Sequence, residues 1–137
     1  MKINMTEWVK AVISSRKVAA LPIMTHPGIE MTGRRVIDAV SDGEVHFNAV
    51  RALAERYDTA AATVIMDLTV EAEAFGADIA FEPDEVPAVR GRLLSSADDI
   101  ARLQVPPLSN GRVPQYLKAN LLAARAITCL LYTSPSP

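Results

Sequence analysis

With a single cysteine, Cys129, the chain cannot form an internal disulfide, and its two histidines, His26 and His46, lie too far from that cysteine in sequence to suggest a zinc framework. No apolar run approaches the ~20 residues of a membrane span. The opening MKINMTEWVKAVISSRK carries Glu7, Lys10 and Arg16 where a secretory signal needs an uninterrupted apolar stretch. The chain accordingly reads as soluble and cytoplasmic. A surplus of positive charge is missing too: 14 basic residues stand against 16 acidic ones, for a net charge of -2, and no predicted helix carries a basic stripe. That balance argues against nucleic acid as a partner. No internal repeat is visible.

What is present is apolar content. Half of the 137 residues are hydrophobic, enough for one modest core and too few for two ordinary domains. The most informative stretch is Thr63 to Gly76, TVIMDLTVEAEAFG, where an uncharged apolar run ends on Asp67 and passes into a short acidic helical segment. A buried strand that delivers a carboxylate at its C-terminal end is how α/β barrels and doubly wound sheets build active sites.

Along the chain, the pattern predicts a helix over Thr6 to Ser15 with Thr6 as N-cap and Trp8, Val9, Val12 and Ile13 on one face. Ala19 to Met24 is a candidate buried strand, closed by Thr25-His26-Pro27-Gly28, a breaker sequence. Helical patterning returns over Thr32 to Val40 and over Gly43 to Tyr57, the latter capped by Asp42 and striped by Phe47, Val50, Ala54 and Tyr57. Ala60 to Met66 lacks alternation, as expected of a strand covered on both faces, with Met66 filling its core. Glu71 to Phe75 favours helix, and Gly76 supplies its stop. Asp78 to Glu82 and Val86 to Arg92 read as a hairpin inserted after that helix, followed by a short helix over Ser96 to Leu103 with a capping box of Ser96 and Asp99. Val105 to Gly111 is a loop. A last helix begins at Val113, with Pro114 in its first turn and Leu117, Leu121, Ala124 and Ile127 on one face.

Such an order should hand over to another buried strand. Residues 129–137, CLLYTSPSP, show no strand alternation and end in Ser-Pro pairs. They read as a non-native tail, similar to translated adaptor sequence at the ends of some metagenomic genes, which places the end of the natural segment near Thr128.

Two anchors carry a family resemblance: Leu21-Pro22-Ile23-Met24 with Gly28 four residues on, and Met66-Asp67-Leu68-Thr69-Val70-Glu71-Ala72-Glu73-Ala74-Phe75-Gly76. Glu85 to Arg92, EVPAVRGR, and Arg112 to Ala119, RVPQYLKA, extend it over essentially all of residues 1–128. The chain resembles the N-terminal part of the uroporphyrinogen decarboxylase superfamily, (β/α)8 barrels that include decarboxylases and methylcobamide:coenzyme M methyltransferases. The implied fold is an α/β one, the truncated N-terminal part of a (β/α)8 TIM barrel with an inserted β-hairpin. A partial barrel of this kind should keep an open strand edge and uncovered apolar faces, so association between copies is expected.

The decarboxylases resemble one another in a Met-Arg-Gln-Ala-Gly-Arg-Tyr motif whose two arginines hold carboxylates of the tetrapyrrole. Here the same register reads Met24-Thr25-His26-Pro27-Gly28-Ile29-Glu30, with Thr25 and Ile29 at the arginine positions. Neither can supply a bidentate cation. The Thr-Val-Glu-Ala-Glu-Ala segment is instead similar to the corrinoid-dependent methyltransferases. That branch implies a zinc bound by one His and two Cys, a methylcobamide on a corrinoid protein as methyl donor, and a small thiol such as coenzyme M as acceptor. The zinc ligands are expected outside this segment. A tetrapyrrole decarboxylase that uses Asp67 against pyrrole N–H groups, and a corrinoid-protein binding module without chemistry, are the alternatives.

The candidate site residues follow. Asp67, at the mouth of the second strand, is the candidate catalytic carboxylate, its other reading being a cap for the next helix. Glu71 and Glu73 lie about 200° apart on a helix, so only one can face the mouth; Glu71 is taken as substrate-binding, against the alternative of a solvated carboxylate. His26, in the loop after strand one, is the second candidate substrate contact, or a turn histidine without a role. His46 is expected to be solvated or at an interface, opposite the apolar stripe. Lys118 and Arg125 read as surface charges.

Overall fold

The computed structural model describes residues 4–23, 25–127 and 131–133. Helix α1 (Met5–Ser14) is capped by Asn4, whose side chain accepts from the Thr6 and Glu7 amides; Thr6 is the second helical residue, not the predicted cap. The chain then runs without regular structure to Ile23, so Ala19–Met24 does not form the expected strand; Met24 itself lies outside the described residues. The segment nonetheless runs beside residues 60–63. The Ala20 carbonyl accepts from the Ala60 amide at 2.8 Å, and the Thr63 hydroxyl donates to the Pro22 carbonyl at 3.4 Å.

The breaker-like His26-Pro27-Gly28 opens a helix rather than excluding one. In α2 (His26–Met31) Pro27 occupies the first turn, where its missing N–H costs nothing. Gly28 lies against α4 (Gly43–Arg56), where a Cβ would fall inside the van der Waals radius of the Ala49 carbonyl. The predicted helix over Thr32–Val40 is interrupted at its start, because Gly33 adopts φ +64°, and resumes as α3 (Val36–Ser41). Asp42 caps α4 through the Glu44 amide, as expected.

Helix α4 is the hub, packing on α2, α3, α7 (Val113–Ala126) and β1 (Ala61–Thr63). One apolar cluster joins Ile29, Val36, Ala39, Val40, Ala49 and Ile65; a second joins Phe47, Val50, Ala62, Ala123 and Ile127. Strand β1 is shorter than the Ala60–Met66 apolar run, which continues to Asp67 without strand pairing, and Met66 is 43 % exposed rather than a core residue. On α7 the buried face is Ala119, Ala123 and, just beyond it, Ile127; Leu117 and Leu121, predicted for the core, stand out near half exposure. Small residues win that face because α7 lies so close to α4 that a Cβ on Gly43 would strike the Gln115 carbonyl.

Helix α5 (Thr69–Ala74) ends at Gly76, φ +99°, in the left-handed conformation that glycine adopts cheaply. The inserted hairpin forms with shorter strands, β2 (Asp78–Ala80) antiparallel to β3 (Ala88–Arg90), and α6 (Ala97–Arg102) carries the Ser96–Asp99 capping box. Residues 131–133 pair in parallel with β1 as β4 (Leu131–Thr133), Ala61 opposite Leu131. The expectation that no strand follows α7 is thereby corrected: three extended residues suffice to satisfy the open edge of β1. Among the described residues no helix is long and apolar enough to cross a membrane.

Candidate functional site

The end of the β1 segment, the start of α5 and the first turns of α7 meet around Asp67. Its side chain is fully buried, and all of its lone-pair directions are engaged. Oδ1 accepts from the Thr69 amide at 2.9 Å and the Thr69 hydroxyl at 2.6 Å, the turn that also starts α5. Oδ2 accepts from Arg112 Nη1 at 2.5 Å and the Tyr116 hydroxyl at 3.0 Å. Asp67 thus fixes the turn into α5 and ties it to α7.

Arg112, which sequence reasoning left without a role, is the centre of the arrangement. It reaches Glu73 Oε2 through Nε at 2.6 Å, the Thr69 hydroxyl through Nη2 at 2.7 Å and the Val40 carbonyl through Nη1 at 3.4 Å. Its guanidinium also lies 4.9 Å from the centre of the Phe81 ring. A planar fork of donors can serve four acceptors on three segments at once, which a lysine could not. The available signals were its position, closing the Val105–Gly111 loop directly before an apolar helix, and its place at the head of the RVPQYLKA similarity.

Glu73, not Glu71, is therefore the helix α5 carboxylate that turns inward to Arg112, its side chain 22 % exposed. Glu71 is exposed, as the 200° separation requires, yet it lines a cavity of about 560 Å³. Val64, Met66, Val70 and Phe75 form one wall of that cavity, and Val105, Leu108, Tyr116 and Leu117 form another. Among the described residues, Asp67 and Glu71 are the only charged ones along it. His26, the first residue of α2, is exposed and is not among the lining residues; the neighbouring Thr25 is buried.

His46 corrects the expectation of a solvated residue. It is 1 % exposed, and its Nε2 accepts the Ile65 amide proton at 2.9 Å, two residues ahead of Asp67. The signal was present in the spacing: His46, Val50 and Leu53 fall on one face of α4, and all three are buried. Its ring stands edge-on to Tyr116, with centroids 5.0 Å apart, and Nδ1 has no hydrogen-bond partner among the described residues.

The electrostatics follow from burial and pairing. Burial alone would raise the Asp67 pKa, but the hydrogen bonds from Thr69 and Arg112 and the Arg112 charge outweigh it and hold the group below the usual carboxylate range. Burial opposes the Arg112 charge, and Asp67 and Glu73 more than compensate, raising its pKa. Desolvation lowers His46 to about 4, partly offset by the Asp67 charge, so the imidazole is neutral at pH 7. Burial and the adjacent Asp67 push the Tyr116 hydroxyl up, which keeps it a donor. The site is a fixed set of charges and dipoles with one positive group against two negative ones.

Among the described residues, no three His, Cys, Asp or Glu side chains come together as a metal site, so these residues do not fit a bound zinc. Cys129 lies outside the described set.

The profile of the uroporphyrinogen decarboxylase (URO-D) family matches residues 9–129. Among solved structures, a methyltransferase from Methanosarcina mazei superposes with a TM-score of 0.71 at 20 % identity, over 93 % of this chain and 40 % of that one. The chain thus spans well under half the length of that protein. No curated protein matches the chain. The chain belongs to the uroporphyrinogen decarboxylase family and has the fold of an N-terminal part of its (β/α)8 barrel.

Proposed function

We propose that this segment belongs to a corrinoid-dependent methyltransferase of the family, one that moves a methyl group from the methylcobamide of a corrinoid protein to a small thiol such as coenzyme M. The observation that carries the reading is electrostatic. A tetrapyrrole with several carboxylates needs free cations, and the two positions where decarboxylases place arginines are Thr25 and Ile29, 6 % and 2 % exposed. Arg112, next to the lining residue Val113, is committed to Asp67, Glu73 and Thr69. The charged groups among the described lining residues of the cavity are the carboxylates of Asp67 and Glu71. The likeness in fold to a methyltransferase supports the same branch.

In this reading Asp67 acts as the fixed end of the β1 segment, and Glu71 and His26 are the groups of this segment left open to a substrate or partner. Zinc would supply thiolate activation, a thiol near pKa 8.5 being mostly protonated at neutral pH. Its ligands, and the cations for an anionic thiol, would come from other residues of the full barrel.

The test is the natural protein that carries this segment, assayed for thiol-dependent loss of the methyl group from methylcobalamin and, in parallel, for uroporphyrinogen decarboxylation. Methyl transfer without decarboxylation is expected. Decarboxylation without methyl transfer would overturn the branch, and retention of a corrinoid protein with neither reaction would make it a binding module.

A further inference from the structure

We infer that Asn110 is a modification site, at which the side-chain amide is lost without an enzyme and the product loosens the turn that delivers Arg112. This goes beyond the methyl-transfer reading and does not depend on it. Asn110 is followed by Gly111, whereas Asn4, Asn48 and Asn120 precede Met5, Ala49 and Leu121. The pair stands in the turn before α7, where the Asn110 amide donates to the Pro107 carbonyl at 3.0 Å and the Asn110 carbonyl accepts from the Val113 amide at 3.3 Å. Both residues are exposed. The Gly111 amide makes no backbone hydrogen bond among the described residues, and Gly111 holds φ +53°, a conformation that costs a residue with a Cβ.

An unbonded amide nitrogen beside an exposed asparagine is placed for ring closure. The Gly111 nitrogen attacks Asn110 Cγ; as that N–C bond forms, the Cγ–Nδ2 bond breaks, ammonia leaves with the proton of the attacking nitrogen, and water then opens the cyclic imide to aspartate or isoaspartate. The other asparagines are protected. Asn48 and Asn120 lie inside α4 and α7, whose hydrogen-bond ladders hold the following amide, and the Asn4 side chain is held by the Thr6 and Glu7 amides. The product changes what the turn touches. Asn110 Nδ2 donates to the Ala74 carbonyl at 3.3 Å and so ties the turn to the end of α5, where a carboxylate would set acceptor against acceptor. Isoaspartate also adds a methylene to the backbone ahead of Gly111, which packs on Glu73: a Cβ at Gly111 would lie 3.0 Å from Glu73 Cγ. Because Arg112 joins Glu73 to Asp67, the displacement reaches the whole network.

The experiment is ageing of the full chain at physiological temperature in buffers from mildly acidic to alkaline pH. Peptide mass spectrometry locates the amide-to-acid mass shift, an isoaspartate assay identifies the product, and urea unfolding reads its effect. Conversion is expected at Asn110 ahead of Asn4, Asn48 and Asn120, and faster as pH rises, because the attacking nitrogen must lose its proton. Asn110→Gln, whose longer side chain closes a ring far more slowly, should keep its amide and its own starting midpoint through the same ageing. Asn110→Asp, the product without the lengthened backbone, should show a lower urea midpoint than the fresh chain, and the aged chain, which also carries isoaspartate, a lower one still. Asn110 intact at the end of ageing, conversion that does not respond to pH, or an aged chain and Asn110→Asp that both keep the midpoint of the fresh chain would each overturn the inference. None of these readouts involves methyl transfer, so the two readings fail separately.

Discussion

The guanidinium of Arg112 and the carboxylate of Asp67, 45 residues apart in the chain, meet at 2.5 Å with 8 % and 0 % of their side chains exposed. Burying that pair joins the end of the β1 segment to the start of α7, and the second contact to Glu73 brings in α5. Pairs of this kind gain little over an apolar replacement of both partners, but losing one partner strands the other.

Arg112→Ala should therefore destabilise the chain by about 3–5 kcal/mol, since Asp67 would be left charged and buried. Arg112→Lys should recover only part of this, a single ammonium being unable to reach Asp67, Glu73 and Thr69 together. Urea midpoints of the two variants would check it; wild-type stability in Arg112→Ala would show that the network contributes nothing.

The two α5 carboxylates should separate cleanly. Glu73→Gln replaces a charge-assisted bond to Arg112 by a neutral one and should cost on the order of 1–2 kcal/mol, whereas Glu71→Gln should leave the melting temperature unchanged. The sequence alone favours Glu71 as the member that faces the mouth. Thermal melts of both variants decide between the two assignments, and equal effects would contradict the geometry.

His46 makes stability depend on acid. Its folded pKa of about 4 lies below the unfolded value of 6.5, so the unfolded chain binds more protons between those values. The contribution of the neutral imidazole is fully present above about pH 6.5 and is lost as pH falls towards about 4, on the order of 3 kcal/mol in all. Asp67, held below the usual carboxylate range, adds a further loss at lower pH as it is forced to protonate. Denaturant unfolding from pH 7.5 to 4 should show this slope, and His46→Gln, which keeps an acceptor for the Ile65 amide, should flatten it.

Close backbone approach should make Gly28 and Gly33 behave differently. Gly28→Ala drives a methyl group into the Ala49 carbonyl and should cost more than about 2 kcal/mol, separating α2 from α4. Gly33→Ala meets open space and should cost only about 1 kcal/mol, the strain of a left-handed backbone at φ +64°. Chemical denaturation of the pair checks the order.

Local signals were legible in the sequence wherever one segment settles its own conformation. Asp42 as a cap, the Ser96–Asp99 box, Gly76 as a stop and the hairpin all depend on hydrogen bonds or dihedral preferences within a few residues, and all appear as read. The Asp67 motif, too, could be picked out as the end of a buried apolar run, and the resemblance it carried agrees with the family. Which groups fill the remaining faces was settled only in three dimensions. Helix α7 buries Ala119 and Ala123 in preference to Leu117 and Leu121 because α4 comes too close for larger side chains. His46 is buried because an unpaired Ile65 amide needs an acceptor, and Arg112 becomes the centre of the site because two carboxylates from other segments converge on it. Periodicity records which side of a helix is apolar, but the distance to the neighbouring helix and the polar atoms left over there are properties of the assembled fold.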